Sequence, residues 1–404
     1  MHATPVVTAT WLMASLACSG HGAGSMPDAG VSVDASVDAS ALPQWYTRDV
    51  YSVAGNTEYQ YTGMAEGAGG ALFAVGTYRD PSNNRHWFLR KSTNNGLDWA
   101  NTGWDISEPS TDALPYIVID SHGSIYVGGD YKRTWTVFKS TDVQGSDFTV
   151  VDSTTTATQR GLAPRTLIMS SKDEIFAIIT STTTPALLVV RKSDSTGMNW
   201  STILQYSYIP GFSATAFDGS IDSSGSLFVG ARVGATDGER VVIQRSIDDG
   251  VSWDTVEDFL PAPPQRAQER NAIRVLGTKL YFTGTTRDDT TRTGAFFVRG
   301  CEIATSCAVG SWNISDLQYI DSPFGPDAGI FDIGQDSSGT LWLNGYTSAS
   351  HNRKKTTTGG WSSAESEVGD NHFGTYLRTS SNRFYMSGMI LDPPNLTAVI
   401  MEYR

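Results

Sequence analysis

The chain has 404 residues, a net charge of −13 at neutral pH and a pI near 4.8. Charged residues make up only 18% and there are 40 glycines, a composition suited to many short strands joined by tight turns rather than to helices. The negative charge argues against DNA or RNA as the principal ligand, and no apolar run reaches the ~18–20 residues of a membrane-spanning helix.

Val6 to Ala17 is mostly apolar, and its length fits the apolar region of a secretory signal. We therefore expect residues 1–17 to be a signal peptide. The stretch ends Ser15-Leu16-Ala17-Cys18-Ser19-Gly20, which resembles a bacterial lipoprotein signal. It departs from that pattern in two ways: Leu16 stands two positions before the cysteine instead of three, and no positive residue precedes the apolar run. The resemblance implies that Cys18 is lipidated, and Ser19 after it implies sorting to the outer membrane or surface of a Gram-negative cell. The alternative is an ordinary signal cut near Ala17 and a secreted protein. Residues 18–43 contain Val31-Ser32-Val33-Asp34-Ala35-Ser36-Val37-Asp38-Ala39-Ser40, acidic and free of aromatics. Such a segment cannot bury a core, and a disordered linker is expected.

From residue 44 onward an aliphatic–aromatic pair recurs: Leu72-Phe73, Ile125-Tyr126, Ile175-Phe176, Leu227-Phe228, Leu280-Tyr281, Leu341-Trp342 and, with an aromatic in the first place, Phe384-Tyr385. The intervals are 53, 50, 52, 53, 61 and 43 residues. This period suits four-stranded propeller blades. The 361 residues after position 43 give about 52 for each of seven blades.

A second motif follows in the early repeats. It is carried by Ser92, Asn94, Gly96 and Trp99, by Ser193, Ser195, Gly197 and Trp200, and by Ser246, Asp248, Gly250 and Trp253. A stretched copy has Ser140, Asp142 and Gly145. Its chemistry is that of a hairpin turn: a short polar side chain accepts backbone N–H bonds, glycine takes a positive φ, and tryptophan starts the next strand. The motif resembles the Asp-box, or BNR repeat, of sialidase-like β-propellers. That resemblance covers roughly residues 44–404 and implies that these residues are structural, lying between the third and fourth strands and away from the ligand face.

Repeat seven supplies only three strands before Arg404, while Trp45-Tyr46-Thr47-Arg48-Asp49-Val50 is a strand without a blade. We therefore expect an all-β, seven-bladed β-propeller closed by its N-terminal strand. Setting Cys18 aside leaves Cys301 and Cys307, which export favours as a disulfide. The rival, a redox or metal pair, lacks a nearby histidine.

In propellers, ligands usually meet the face formed by the loops between strands two and three and between successive blades. The residues placed there are Tyr78, Arg79, Trp87, Tyr131, Arg133, Trp135, Arg165, Arg270, Arg287 and His372. Arginines and aromatic rings together suit a carbohydrate or an anionic ligand. Sialidase chemistry would need three arginines on a substrate carboxylate. Arg165, Arg270 and Arg378 are candidates for the central one, but the Arg-Ile-Pro signature of that family is absent. No cofactor or metal centre is expected. The function expected is a non-enzymatic binding or scaffold module at the cell surface, monomeric, partnered by carbohydrate or by a surface or periplasmic protein. It would meet the membrane only through a lipid anchor. The alternative is a carbohydrate-active enzyme, either a sialidase-like glycoside hydrolase or a polysaccharide lyase.

Overall fold

The second strand of each repeat reads as a nearly unbroken buried run, as in Leu72–Arg79, Ile125–Tyr131 and Ile175–Thr180. Such strands must be covered on both faces, and stacking the sheets side by side around a ring provides that cover. The computed structural model describes residues 44–108, 114–132, 134–155, 166–181, 183–262, 265–267, 271–288, 290–291, 294–305, 307–320, 329–346, 350–364, 372–392 and 395–404. The expected signal peptide, linker and lipidated Cys18 lie outside these residues.

Seven antiparallel sheets form seven blades. Their first strands are Thr57–Glu66, Tyr116–Ile119, Thr166–Met169, Ala214–Ile221, Ala272–Leu276, Gly329–Gln335 and His372–Arg378. Each packs against the next, and the seventh against the first, so they line the centre of a closed β-propeller. In blade 5 a short strand, Gln265–Ala267, also pairs with the second strand. Blade 7 takes its fourth strand, Trp45–Tyr51, from the N-terminal end of the ring, paired with Asn395–Tyr403. Gln44 and Arg404 exchange backbone hydrogen bonds of 2.8 and 3.1 Å. Trp45 is buried against Trp342, Phe384 and Tyr403 with ring centroids 5.3–5.6 Å apart. The seven-blade count and the closing strand agree with the sequence expectation.

The turns between third and fourth strands join neighbouring blades. In blade 1 the Gly96 amide donates to Ser92 Oγ at 2.9 Å, and Asp98 N donates to Asn94 Oδ1 at 2.9 Å. Blade 4 repeats this, with Gly250 N donating to Ser246 Oγ at 2.8 Å and Ser252 N to Asp248 Oδ1 at 2.9 Å. In blade 2 Asp142 Oδ1 accepts from Gln144 N and Gly145 N, both at 2.7 Å, and Ser140 Oγ accepts from Ile125 N. In blade 3 Ser193 Oγ accepts from Ile175 N. There the sequence reading gave the polar position to Ser195; the carboxylate of Asp194, one residue earlier, accepts from Met198 N at 3.1 Å. Trp99, Trp200 and Trp253 each donate Nε1–H to the turn-glycine carbonyl. Gly197 has φ +69°, and Tyr126 of blade 2 packs where its Cβ would stand while donating to Thr196 O at 3.2 Å. The recurrent aromatic and the recurrent turn are therefore two halves of one interblade contact. In blade 5 the turn is closed instead by the Cys301–Cys307 disulfide.

Ion pairs add further ties. Arg90, Arg191 and Arg299 on third strands reach Asp49, Asp152 and Glu257 on the fourth strand of the preceding blade, at 2.9, 2.6 and 3.0 Å. All three carboxylates lie in the buried seams, where partnered charges persist.

Candidate functional site

The first strand of every blade runs toward the face that carries the 1–2 and 3–4 turns, here the lower face. The 2–3 hairpins and the blade-to-blade connections form the upper face. On it, blade 1 gathers a linked group of titratable and aromatic side chains; a second group, at blade 4, joins Arg240 to Tyr208, Asp237 and Asp258. The hairpin between Leu72–Arg79 and Arg85–Ser92 turns at Asp80–Asn84, where Asp80 accepts from the Asn84 backbone amide at 2.8 Å and side-chain amide at 3.0 Å. Those bonds, from the Asn84 side chain first, hold the Asp80 carboxyl below its ordinary range. Tyr78 and His86 are direct cross-strand partners, and their rings stack at 4.7 Å. Beneath them Tyr59 stacks on Tyr78 at 5.2 Å. Tyr51 of the closing strand meets Tyr59 edge-on at 5.5 Å. The site thus stands on the seam between the last blade and the first.

Asp105, on the fourth strand of the same blade, gathers the two stacked rings. It accepts from the Tyr78 hydroxyl at 2.6 Å and lies 2.7 Å from His86 Nδ1. The other imidazole nitrogen, Nε2, is 3.4 Å from Asp80. Burial, and then Asp105, push the Tyr78 phenol far above its ordinary pKa, so it stays protonated and donates to Asp105. Arg79 Nε pairs with Glu58 at 2.5 Å, with Arg85 Nη2 at 3.9 Å from the same carboxylate. Arg85 also donates to Thr77 Oγ1 at 2.9 Å. Glu58 is about half exposed at the start of the inner strand and has φ +54°. One blade tip therefore carries an imidazole held by a carboxylate and stacked on a protonated phenol on one face, and two guanidinium groups on the other.

Of the residues expected on this face, Tyr78 and Arg79 belong to the cluster. Trp87 and Trp135 do not: both are fully buried. Strand alternation turns Trp87 into the core between blades 1 and 2, and Trp135 into the core between blades 2 and 3. Tyr131 is half-buried and packs 6.0 Å from Trp87, with the Lys132 ammonium 4.7 Å above its ring. Arg287 is half-buried in blade 5, opposite Gly294 and Arg266. His372 begins the inner strand of blade 7 opposite Ile390. Arg133, Arg165 and Arg270 lie outside the described residues. Arg378 is at the lower end of its strand, donating to Asn382 Oδ1 at 2.9 Å, which removes it from an upper-face arginine cluster. His86, Asp105 and Glu58 were not singled out. The signal for His86 was the alternation Arg85-His86-Trp87, in which only one of two neighbouring aromatic residues can face away from the core.

A second charged group ties inner strands together. Arg274 of blade 5 reaches Asp218 of blade 4 at 2.6 Å and Asp332 of blade 6 at 2.8 Å. Asp218 also accepts from Ile273 N, and Asp332 from Tyr376 N, both at 2.9 Å. Burial raises both carboxyl pKa values against the opposing pull of Arg274, that of Asp218 to about 6. With both acids engaged by strand amides and one guanidinium, this cluster holds blades. A cleft of about 370 Å³ near the lower rim, lined by Lys91, Asn94, Asp98, Trp99, Asn101 and Gln144 among others, is remote from the upper-face loops. No group of three or more metal-ligating side chains occurs among the described residues.

No protein-family model matches the chain, and no curated protein matches it. Solved structures do. A polysaccharide lyase aligns with TM-score 0.54 and 11% identity, over 82% of this chain and 87% of that one. An ulvan lyase bound to a sulfated glucuronate–rhamnose repeat aligns with TM-score 0.53 and 8% identity, over 83% and 90%. An α-L-arabinofuranosidase from Fusarium graminearum gives 0.49 and 11%, over 72% and 92%. The chain shares the propeller fold of carbohydrate-active enzymes. This corrects the expectation of a non-enzymatic binding or scaffold module: the fold is shared with two polysaccharide lyases, a finding that backs the carbohydrate-active alternative better than the scaffold reading.

Proposed function

We propose that the chain is a carbohydrate-active enzyme that cleaves an acidic polysaccharide by β-elimination at the upper tip of blade 1. The observation that carries this reading is His86, fixed through Nδ1 by Asp105 and stacked on a phenol that remains protonated. The lyase neighbours support the reaction class. Elimination next to a carboxylate needs three roles filled. A base takes the proton from the carbon α to the carboxylate, a cation steadies the charge that develops on that carboxylate, and an acid protonates the leaving oxygen. The C–H electron pair becomes the new C=C bond and the C–O pair leaves with the oxygen. His86 Nε2 is the base and, once protonated, the acid that returns the proton to the leaving oxygen; Tyr78, its hydroxyl bonded to Asp105, holds the imidazole by stacking, and Arg79 with Arg85, across the edge of the same hairpin, form the carboxylate site. Glu58 now occupies the position on Arg79 that a uronate carboxylate would take.

The assay is incubation of the purified chain with uronate-containing polysaccharides, reading the near-ultraviolet absorbance of the unsaturated product. Parallel assays of neutral arabinans and sialosides read new reducing ends and released sialic acid. His86→Ala should lower elimination by about 10²–10⁴-fold, the usual worth of a positioned general base. Arg79→Lys should mainly raise KM. Absence of unsaturated product from every uronate polymer, or full activity in His86→Ala, sinks the proposal.

The same reading includes export. We propose that residues 1–17 direct it, that residues 18–43 form a disordered spacer, and that Cys18 is lipidated and holds the ring at the outer membrane or cell surface. The small residues around Cys18 support this. Cys18→Ala should move the protein from the membrane to the soluble fraction. We also read the Ser–Asp/Asn–Gly–Trp turns of the early blades as Asp-boxes, supported by their repeated hydrogen bonds.

A further inference from the structure

Among the described residues, six of the ten exposed large apolar side chains lie in 3–4 turns of the lower face. They are Leu97 in blade 1, Val143 in blade 2, Met198 in blade 3, Ile247 and Val251 in blade 4, and Val309 in blade 5; Ile247 is 69% and Val251 85% exposed. The hydrogen bonds of the turns are made by serine, asparagine or aspartate, glycine and tryptophan, so the turn itself does not call for these aliphatic tips. Five consecutive blades leaving apolar groups in water on one rim is an unfavourable arrangement for a free surface, and a recurrent exposed apolar patch marks a contact.

The topology indicates what covers it. Blade 7 has no 3–4 turn, and its place is taken by the two ends of the ring, Gln44 hydrogen-bonded to Arg404. The chain leading back to Cys18 therefore leaves the ring at the rim that carries the aliphatic tips. Cys18 precedes Gln44 by 26 residues, and a coil of that length spans about 25–30 Å r.m.s.. With the disordered spacer of the proposed function, whatever Cys18 is fixed to would stay within that reach of Gln44. The same turns carry Asp98, Asp142, Asp194 and Asp248, so the rim is not a basic surface and would gain nothing from anionic headgroups.

We propose that the lower rim of blades 1–5 is a lipid-contact surface. Its aliphatic tips rest in the interfacial zone of a bilayer, and the ring stands with the upper face and His86 turned away from the membrane. The choice of a lipid surface rests on the lipidated Cys18 of the proposed function, and the test is made without that lipid. The full chain carrying Cys18→Ala is sedimented with phosphatidylcholine vesicles. A second protein adds Val143→Asp, Met198→Asp and Val251→Asp. The first should bind, equally at low and high salt and with no gain from phosphatidylglycerol. The second should bind at least about tenfold more weakly, because affinity follows buried apolar area, with an unchanged melting temperature. Three outcomes overturn the proposal: no binding by the first protein, equal binding by both, or binding that requires phosphatidylglycerol and vanishes in salt. A concentration-dependent dimer of the first protein that the three substitutions abolish also overturns it, since a second copy would then cover the rim. Neither readout uses catalysis, and membrane fractionation of the single Cys18→Ala change tests the anchor separately.

Discussion

Blades 1–3 and blades 4–7 line the centre of one ring with different chemistry. The inner strands of blades 2 and 3 present Ile117, Val118, Leu167 and Ile168 to the seams, all buried, and blade 1 adds a Thr62 hydroxyl donating to Pro115 O at 2.6 Å. The inner strands of blades 4–7 run Asp218, Arg274, Asp332 and Tyr376, linked by ion pairs and by amide bonds from one blade to the next. An apolar seam gains from area alone and tolerates loss of one member in proportion to the cavity left. An ionic seam depends on every partner being present and on each acid's protonation state. The inner-strand contacts of blades 2 and 3 should therefore be indifferent to pH, and those of blades 4–7 should respond to it.

The largest expected effect is that of Arg274→Met. It leaves two buried carboxylates facing each other and should cost about 3–5 kcal/mol at pH 8. Urea titrations at pH 8 and pH 5 check it, with a smaller loss at pH 5, where the raised pKa values of Asp218 and Asp332 let the pair take up a proton. Equal losses would mean that the seam is not ionic in character. Ile168→Ala in the apolar seam should cost about 2–5 kcal/mol and, by contrast, the same at both pH values.

The third effect is a slope. The folded-state pKa of Asp218, about 6, lies above its ordinary value of 3.8. Its contribution is complete below pH ~4, declines as pH rises toward 6, and is flat beyond. Thermal melts of the wild type should show this decline, on the order of 2–3 kcal/mol, and Asp218→Asn should remove it. An unchanged slope in the variant would assign the titration to another group. The smallest effect compares the turns. Replacing Cys301 and Cys307 by serine opens a short loop and should cost about 2 kcal/mol on the chain-entropy model. Blade 5 keeps its Trp312 Nε1–H bond to Val256 O at 2.8 Å, so the ring should still close. Loss of the folded transition altogether would mean that this turn depends on the bridge in a way the blade 1–4 turns do not depend on theirs.

What could be read in the sequence follows the range of the interactions. The turns were legible because Ser92 to Trp99 or Ser246 to Trp253 specify themselves within eight residues, and repetition fixed the blade count. The lone Trp45 strand was legible as a deficit in the last repeat. The inner seam was not, because Asp218, Arg274 and Asp332 come from three blades and meet only through ring geometry. A signal existed in the shared Phe217-Asp218 and Phe331-Asp332, each at a β-bulge of an inner strand. Likewise Asp120-Ser121-His122-Gly123, Asp222-Ser223-Ser224-Gly225 and Asp336-Ser337-Ser338-Gly339 repeat a 1–2 turn in which the aspartate accepts backbone amides. On the upper face, residue type alone could not separate Trp87 from His86. Strand alternation assigns one to the core and the other to the site, and it requires the register to be known.

The closing strand also governs when the ring can come into being. Blades 1–6 are each built from consecutive strands and can form as soon as their own residues are available, but Arg48 meets Glu402 across 354 positions of sequence. Until Asn395–Tyr403 has emerged, Trp45–Tyr51 has no partner, and its unpaired edge is open to other chains. Contacts this distant in sequence are slow to form. An interrupted chain is therefore not a smaller working ring but an open arc. The Tyr51 beneath the Tyr59–Tyr78–His86 stack arrives with the same strand, so the candidate site is completed in the step that completes the circle.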